Sequence, residues 1–592
     1  MRENDSMAAT STLRIALAQT NPTVGDLDGN ARQVLEWTAK AAEAGAHVVA
    51  FGEMQLTGYP VEDLVFRESF VAASRERVAS LARELDAAGF GELVVVTGYL
   101  DADGPARMSS DSDPDRGPRD ALAVLHRGEV AVRYFKHHLP NYGVFDEDRY
   151  FVSGNVLQVV RIAGVDVAFT VCEDIWQAGG PFAVARSAGV GLVVNINASP
   201  YELNKDDVRL PLVRRRAAEA GATVAYVNIV GGQDELVFDG DSLIVDAGGE
   251  VLARGPQFVE TLLVHDLTLP VAGDVPAPGE AEMTIAHTTL SAEALPASAE
   301  PVTAGVAEPL PDLAEVWHAL VTGLRDYVGK NGFRTVVFGL SGGIDSALVA
   351  ALACDAVGPQ NVYAVSMPSR YSSGHSRDDA AELSKRTGCH YLSEPIQPIV
   401  DTFTGQIPLD GLALENLQSR VRGLILMGLS NQYGHLVLAP GNKTEYATGY
   451  STLYGDSVGG YAPIKDVLKL MVFGLATWRN EEAVRNGEVP PIPENTIVKP
   501  PSAELREDQM DTDSLPPYEI LDPVVEGYVD GDMGREALIA AGHDPAVVDR
   551  VTKLVDRAEY KRRQTAPGPK ISVKNFGRDR RLPITNKWVE KA

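Results

Sequence analysis

Thr335-Val336-Val337-Phe338-Gly339-Leu340-Ser341-Gly342-Gly343-Ile344-Asp345-Ser346-Ala347 is a β-rich run, a turn of small residues and the start of an Ala-rich helical run that continues to Ala356. Such a strand-turn-helix junction exposes backbone N–H groups at a helix amino end and favours a bound anion. The Gly-Lys-Ser/Thr ending of the kinase-type phosphate loop is absent. A bare Ser-Gly-Gly turn would usually be structural, so the weight rests on what surrounds it. A helical run from about Leu313 leads into this strand, and together they open an α/β unit that we bound at 312–592.

Upstream, a second α/β region spans 11–267. Leu13–Ala18, His47–Phe51, Leu93–Tyr99, Val130–Phe135, Val165–Val171, Gly191–Ile196 and Val224–Ile229 read as strands, and segments such as Asn30–Ala44 read as helices. From 268 to 311 the composition turns to Ala, Pro, Glu and Thr, which is that of a linker. Residues 1–10 are polar and read as a flexible amino terminus.

The chain has 592 residues, 45% of them hydrophobic, enough for several buried cores. A net charge of -28 argues against nonspecific binding to nucleic acid or to anionic membranes. Three scattered cysteines suit neither a disulfide framework nor a zinc cluster. No signal-peptide core and no membrane-spanning run is visible. The expected location is the cytoplasm.

Three side chains of the first region stand at strand ends, where α/β folds place ligands. Cys172 follows Val165–Val171, Glu53 follows His47–Phe51, and Lys136 follows Val130–Phe135. A thiol, a carboxylate and an ammonium suffice to open an amide: nucleophile, proton shuttle and oxyanion partner. Singly, Cys172 would more often be a buried structural thiol, and Glu53 and Lys136 solvated charges. A Cys-His pair using His137 or His138 is a weaker alternative, since adjacent residues of a strand point to opposite faces.

This set resembles the Glu-Lys-Cys triad of the nitrilase family of carbon-nitrogen hydrolases, an αββα sandwich. Gly52–Tyr59 is similar to that family's glutamate segment, Lys136–Tyr142 to its lysine segment, and Asn197–Tyr201 with Lys205 to the positioning stretch of its glutamine-hydrolysing members. The resemblance implies that Tyr142, Ser199 and Lys205 hold glutamine and that Glu147 is a supporting carboxylate.

In the second unit, Gly339 to Ser346 resembles the pyrophosphate motif of ATP pyrophosphatases, a doubly wound parallel-sheet fold. Met367–Ser373, Glu415–Arg422, Gly441–Glu445, Tyr454–Asp456, Pro501–Leu505 and Tyr560–Gln564 look like the signature blocks of the NAD synthetases within that group. The likeness implies that Gly339, Leu340, Ser341, Gly342, Gly343, Ile344, Asp345 and Ser346 bind ATP, with Pro440 and Lys465 beside them. It also implies that Asn416, Glu445, Asp456 and Lys561 contact deamido-NAD, and that Asp345 and Glu445 hold magnesium (Mg2+). Pro440 stands where a threonine is common, so a hydroxyl contact there is missing.

The basic carboxyl-terminal run, with Lys561, Arg562, Arg563, Lys570, Lys574, Arg578, Arg580, Arg581 and Lys587, is expected to face an anionic substrate or a neighbouring subunit and not nucleic acid. The implied activity is glutamine hydrolysis in the first unit and ATP-dependent amidation of deamido-NAD in the second, in a large homo-oligomer. Two rivals are another amidotransferase of the ATP-pyrophosphatase group and a silent nucleotide-sensing domain regulating a nitrilase.

Overall fold

The computed structural model describes residues 9–104, 115–273, 282–507 and 509–588. The chain divides into two units, one of residues 1–233 and 238–310, the other of 234–237 and 311–592.

In the first unit, Val- and Ile-rich segments assemble into two mixed sheets. The six-stranded sheet runs Thr261–Pro270, Thr10–Gln19, Val48–Phe51, Val94–Ala102, Pro118–His126, Glu129–Phe135; the seven-stranded one runs Val251–Arg254, Leu243–Val245, Thr223–Asn228, Leu192–Asn197, Val165–Val171, Val156–Ile162, Thr284–Thr289. Alternation of side chains along each strand divides the apolar residues between two faces. Ile15, Leu17, Val48, Val96 and Val124 of one sheet share a core with Val167, Phe169, Val194, Ile196 and Val227 of the other. The outward faces carry helices: Val49 and Val95 pack with Val34, Val78 and Leu81, and Val193 and Val224 pack with Phe182, Leu212 and Val213. This is the expected αββα sandwich.

Part of the expected linker is built into this unit. Thr261–Pro270 pairs antiparallel with Thr10–Gln19, which orders Thr10 as well, and Thr284–Thr289 adds a parallel edge strand beside Val156–Ile162. Arg14 further holds Ser298 and the Glu300 carbonyl. Composition misses this because backbone hydrogen bonds to an edge strand need no particular side chain. Residues 1–8 of the expected flexible terminus, and 274–281 of the linker, lie outside the described residues.

The second unit has a four-stranded parallel sheet in the order His390–Ser393, Val362–Ser366, Val336–Gly339, Leu436–Val437. The chain leaves Val336–Gly339 through the helix Ile344–Val357, adds its next two strands on one side, and then returns through the helix Gly411–Tyr433 to add Leu436–Val437 on the other. The strand order therefore reverses at the carboxyl end of Val336–Gly339, where open α/β sheets bind ligands. Helices beyond the sheet, Tyr518–Val529 and Pro545–Arg557, pack on Tyr446 and Ala447 through Leu521, Val525, Val548 and Val551.

Candidate active site

In the first unit Glu53, Lys136 and Cys172 converge as their strand ends require. Lys136 Nζ donates to Glu53 Oε1 at 2.7 Å, to Glu147 Oε1 at 3.0 Å and to Asp120 Oδ2 at 3.3 Å. Glu53 Oε2 accepts from the Ala198 backbone N–H at 2.8 Å, so both of its oxygens are anchored. Cys172 is buried and turns into a short 3-10 segment with φ of 41°, a region sparsely populated by residues other than glycine. Asp174 holds that turn: it accepts from the Val171 N–H and the Tyr134 hydroxyl through one oxygen and from the His137 and His138 N–H groups through the other.

Electrostatics follow from burial. Desolvation works against the Lys136 ammonium, but Glu147, Glu53 and Asp120 outweigh it and hold its pKa well above the usual value. Burial and the Glu53 charge push the Cys172 thiol well up, with Lys136 opposing. The resting group is a thiol, and its proton needs a base at the moment of attack. Burial lifts Glu147 to about 7.

The histidine alternative finds no support. His137 and His138 lie just beyond the strand, so the opposite-face argument does not apply to them; their rings pack against one another at 4.6 Å, and His137 Nδ1 pairs with the Gly154 carbonyl. The groups acting on the Cys172 thiol are Glu53, Lys136, Glu173 and Glu147.

Tyr142 donates to Glu173, the residue after the thiol, at 2.9 Å. Lys205 lies over the Trp176 ring at 4.8 Å and pairs with Glu202. Ser199 follows Ala198 and is locked by Asn228, whose Oδ1 accepts from its N–H.

In the second unit a cavity of about 610 Å³ opens at the strand-order reversal. Gly339, Leu340, Ser341, Gly343, Ile344, Asp345 and Ser346 line one part of it, and Asn416, Pro440, Glu445, Asp456 and Lys561 are among the residues of the remaining wall. Gly342 sits behind the surface with φ of +81°, and a Cβ there would lie 2.1 Å from the Ser376 carbonyl oxygen, so only glycine fits. Asp345 accepts from Asn442 Nδ2 at 2.7 Å and from Lys469 Nζ. Asn442 and Glu445 cap one another at the start of a helical turn. Burial and then the Asp345 charge raise the Glu445 pKa well above normal, against Lys469.

A family model described as carbon-nitrogen hydrolase matches residues 14–277, and one described as NAD synthase matches residues 316–565. The glutamine-dependent NAD(+) synthetase of Thermotoga maritima is 42% identical over 592 residues, covering 98% of this chain and 99% of its own. That of Xanthomonas campestris pv. campestris is 44% identical over 593 residues, with the same two coverages. The chain belongs to the glutamine-dependent NAD synthetase family. Among solved structures, the synthetase of Acinetobacter baumannii in complex with adenosine diphosphate is 36% identical with a TM-score of 0.69, covering 98% of this chain and 100% of that one.

Membership makes the chain a carbon-nitrogen bond-forming ligase of the glutamine-dependent NAD synthetase type. Within it, Lys465 departs from the expected position. It does not line the cavity; its buried Nζ donates to the Ala566 carbonyl at 2.8 Å. Lys469 does line the cavity, at the first position of the helix Lys469–Arg485, reaching Asp345 and, at 3.9 Å, Glu445. Both lysines follow the glycine loop by more than a hundred residues, and spacing alone does not tell them apart.

The basic carboxyl-terminal run is largely satisfied by its own unit. Arg562 and Arg580 share Glu559, Lys570 binds the Ser572 carbonyl, and Lys574 pairs with Asp532. Lys561 is the cavity member, donating to the Gly449 and Ser451 carbonyls at 2.7 and 2.8 Å. Asn416 and Asp456 are joined through Thr452. Asp120, Asp174, Asn442 and Lys469 carry no signal of their own in the sequence: Asp174 stands two residues after Cys172, while nothing local marks Asp120. Among the described residues no helix is long and apolar enough to cross a membrane, and the three cysteines are free.

Proposed function

We propose that Cys172, Glu53 and Lys136 hydrolyse glutamine and that the glycine-loop cavity adenylates deamido-NAD and amidates it with the ammonia released. The observation that carries this reading is the buried Lys136–Glu53 pair at 2.7 Å beside a buried thiol, in one chain with the glycine-loop cavity.

Glu53 takes the Cys172 proton as sulfur attacks the glutamine amide carbon, and returns it to the departing nitrogen as the C–N bond breaks. The Lys136 ammonium stabilises the oxygen anion of the tetrahedral intermediate. Water, deprotonated by Glu53, then splits the thioester to glutamate. Lys205 offers a cation to the glutamine α-carboxylate, and Tyr142 and Ser199 orient the rest.

In the second unit the nicotinate carboxylate of deamido-NAD attacks the α-phosphorus of ATP and expels pyrophosphate. Ammonia displaces AMP from the resulting acyl-adenylate and gives NAD. Gly339 to Ser346 bind the phosphates through backbone N–H groups, and Lys469 supplies a positive charge beside them. Asn416, Glu445, Asp456 and Lys561 take the dinucleotide. Asp345 and Glu445 fit a divalent cation: both are carboxylates at the cavity, and Lys469 already places an ammonium between them. A magnesium ion held by Asp345 and Glu445 would neutralise phosphate charge when bound.

The reading also puts the enzyme in a reducing cytoplasm as a homo-oligomer acting on small molecules only, which light scattering tests for assembly. Its central test supplies glutamine labelled with heavy nitrogen at the amide, together with deamido-NAD, ATP and magnesium. Label is expected in the carboxamide of NAD, with AMP and pyrophosphate formed one for one. Glutamine hydrolysis with no AMP would instead favour a silent second domain.

A further inference from the structure

The Lys136 ammonium is surrounded by one carboxylate more than the triad and its supporting glutamate require. Asp120 enters from the strand Pro118–His126, which pairs antiparallel with Glu129–Phe135, and its backbone carbonyl accepts the Lys136 N–H at 2.9 Å. One oxygen each of Glu53, Asp120 and Glu147 lie within 4.8 Å of one another. All three carboxyl groups and Lys136 are at most 1% exposed. With every group ionised the cluster would carry one positive and three negative charges out of reach of water, an arrangement that burial opposes strongly.

Protons must therefore reside on it, and the contacts indicate where. Glu53 has its two oxygens engaged by Lys136 and the Ala198 N–H, both donors that favour a carboxylate. Glu147 accepts from Lys136 and from the Tyr59 hydroxyl through Oε1, and its Oε2, which makes no hydrogen bond, still lies 2.9 Å from Lys136 Nζ. Asp120 has only the longest of the three Lys136 contacts, and its Oδ1 is buried with no donor facing it. The groups facing Asp120 are Glu53, Lys136 and Glu147, with Tyr59 and Cys172 just beyond them. Asp120 and Glu53 both contact the Lys136 ammonium and have oxygens within 4.8 Å of one another out of reach of water, a spacing at which two carboxylates are relieved by holding a proton between them.

We propose that Asp120 is a positioning residue of the glutamine-hydrolysing site: it remains a neutral carboxylic acid and donates its hydrogen bond to Glu53, keeping Glu53 the ionised base that faces Cys172. Burial first, and the Glu53 charge second, act on Asp120 in the direction this requires. The proposal rests on the assignment of Glu53 as the base for Cys172.

Glutaminase kcat/KM is to be measured against pH for the wild type, Asp120→Asn and Asp120→Leu, with ammonium-dependent NAD formation followed in parallel. Asparagine donates N–H to Glu53 at every pH and carries no charge, so it reproduces a protonated aspartate. The Asn variant is expected within about fivefold of wild type with its acidic limb unmoved, because that limb reports ionisation of the essential base. The Leu variant, with no donor, is expected to be at least about thirtyfold slower, its acidic limb raised by about one pH unit. Ammonium-dependent synthesis should persist in both.

An acidic limb about one unit lower in the Asn variant would mean that a resident negative charge had been removed, and overturns the proposal. So does an Asn variant crippled at every pH, or a Leu variant with the wild-type profile. If the Leu variant fails to fold, the Asn profile decides alone. Glu53→Gln separates this outcome from failure of the parent reading: full glutaminase turnover in that variant sinks the Glu53 assignment, whereas its loss together with a shifted Asn limb sinks only the role of Asp120.

Discussion

Lys465 and Lys469 lie four residues apart and make different contacts. Lys469 reaches Asp345 at the cavity, while Lys465 is buried on a carbonyl away from it. Lys469→Ala is expected to slow NAD formation from either nitrogen source by about two orders of magnitude, the cost of removing a charge-assisted contact to developing phosphate charge. Lys465→Ala leaves the Ala566 carbonyl without its donor and is expected to cost about 1–3 kcal/mol of stability. Steady-state rates at saturating ammonium, read beside melting temperatures, separate the two. A stable Lys469→Ala enzyme with wild-type turnover would return the phosphate role to Lys465. The spacing of a lysine from the glycine loop did not disclose this, because the intervening helices choose which of the two faces the cavity.

The strand-turn-helix element around Ser341–Ser346 depends on Gly342. Its φ of +81° and the Ser376 carbonyl 2.1 Å from a would-be Cβ leave no room for a side chain. Gly342→Ala is expected to shift the turn, abolish ATP-dependent synthesis and leave glutaminase turnover at Cys172 standing; parallel assays of pyrophosphate and glutamate check it. At the end of the helix Tyr518–Val529, Asp530 is the C-cap, where the helix dipole disfavours an anion, and burial raises its pKa from 3.8 to about 6 despite Lys443 at 2.7 Å. The folded state thus binds a proton there more tightly than the unfolded chain does. Its stability contribution falls as pH rises from about 4 to about 6 and is flat above that. Asp530→Asn should therefore show a smaller fall in melting temperature across that window than the wild type, while Lys443 keeps Asp466 as a partner at 2.9 Å. An identical fall in both proteins would refute the assignment.

For the molecule as a whole, the two units imply separable chemistry. Cys172→Ala removes the nucleophile only, so glutamine-dependent NAD formation is expected to drop by at least about a thousandfold while synthesis from ammonium salt stays near the wild-type rate. Equal loss of both would show that the units do not divide the reaction as proposed. The assay is NAD formed per minute with each nitrogen source at saturation.

The α/β class and the presence of a carbon-nitrogen hydrolase region and an NAD synthase region are legible in the residues alone, and so are Cys172, Glu53 and Lys136 as side chains that the fold gathers. Cys172, Glu53 and Lys136 end hydrophobic runs, and strand ends carry ligands whatever the details of packing. The glycine loop is legible for the same reason: strand, small-residue turn and helix start are local. Tertiary structure alone decided which groups meet across distant strands. Asp120 lies in a run that the sequence reading passed over, and it matters only because antiparallel pairing brings it to Lys136. The stretch 268–311 looked like a linker, yet backbone pairing makes part of it sheet. The basic tail looked free for a substrate, yet Glu559 and Asp532 hold much of it. Local spacing records what a residue can do; burial and long-range pairing select the partner, and so decide which charges face a substrate and which are neutralised within the fold.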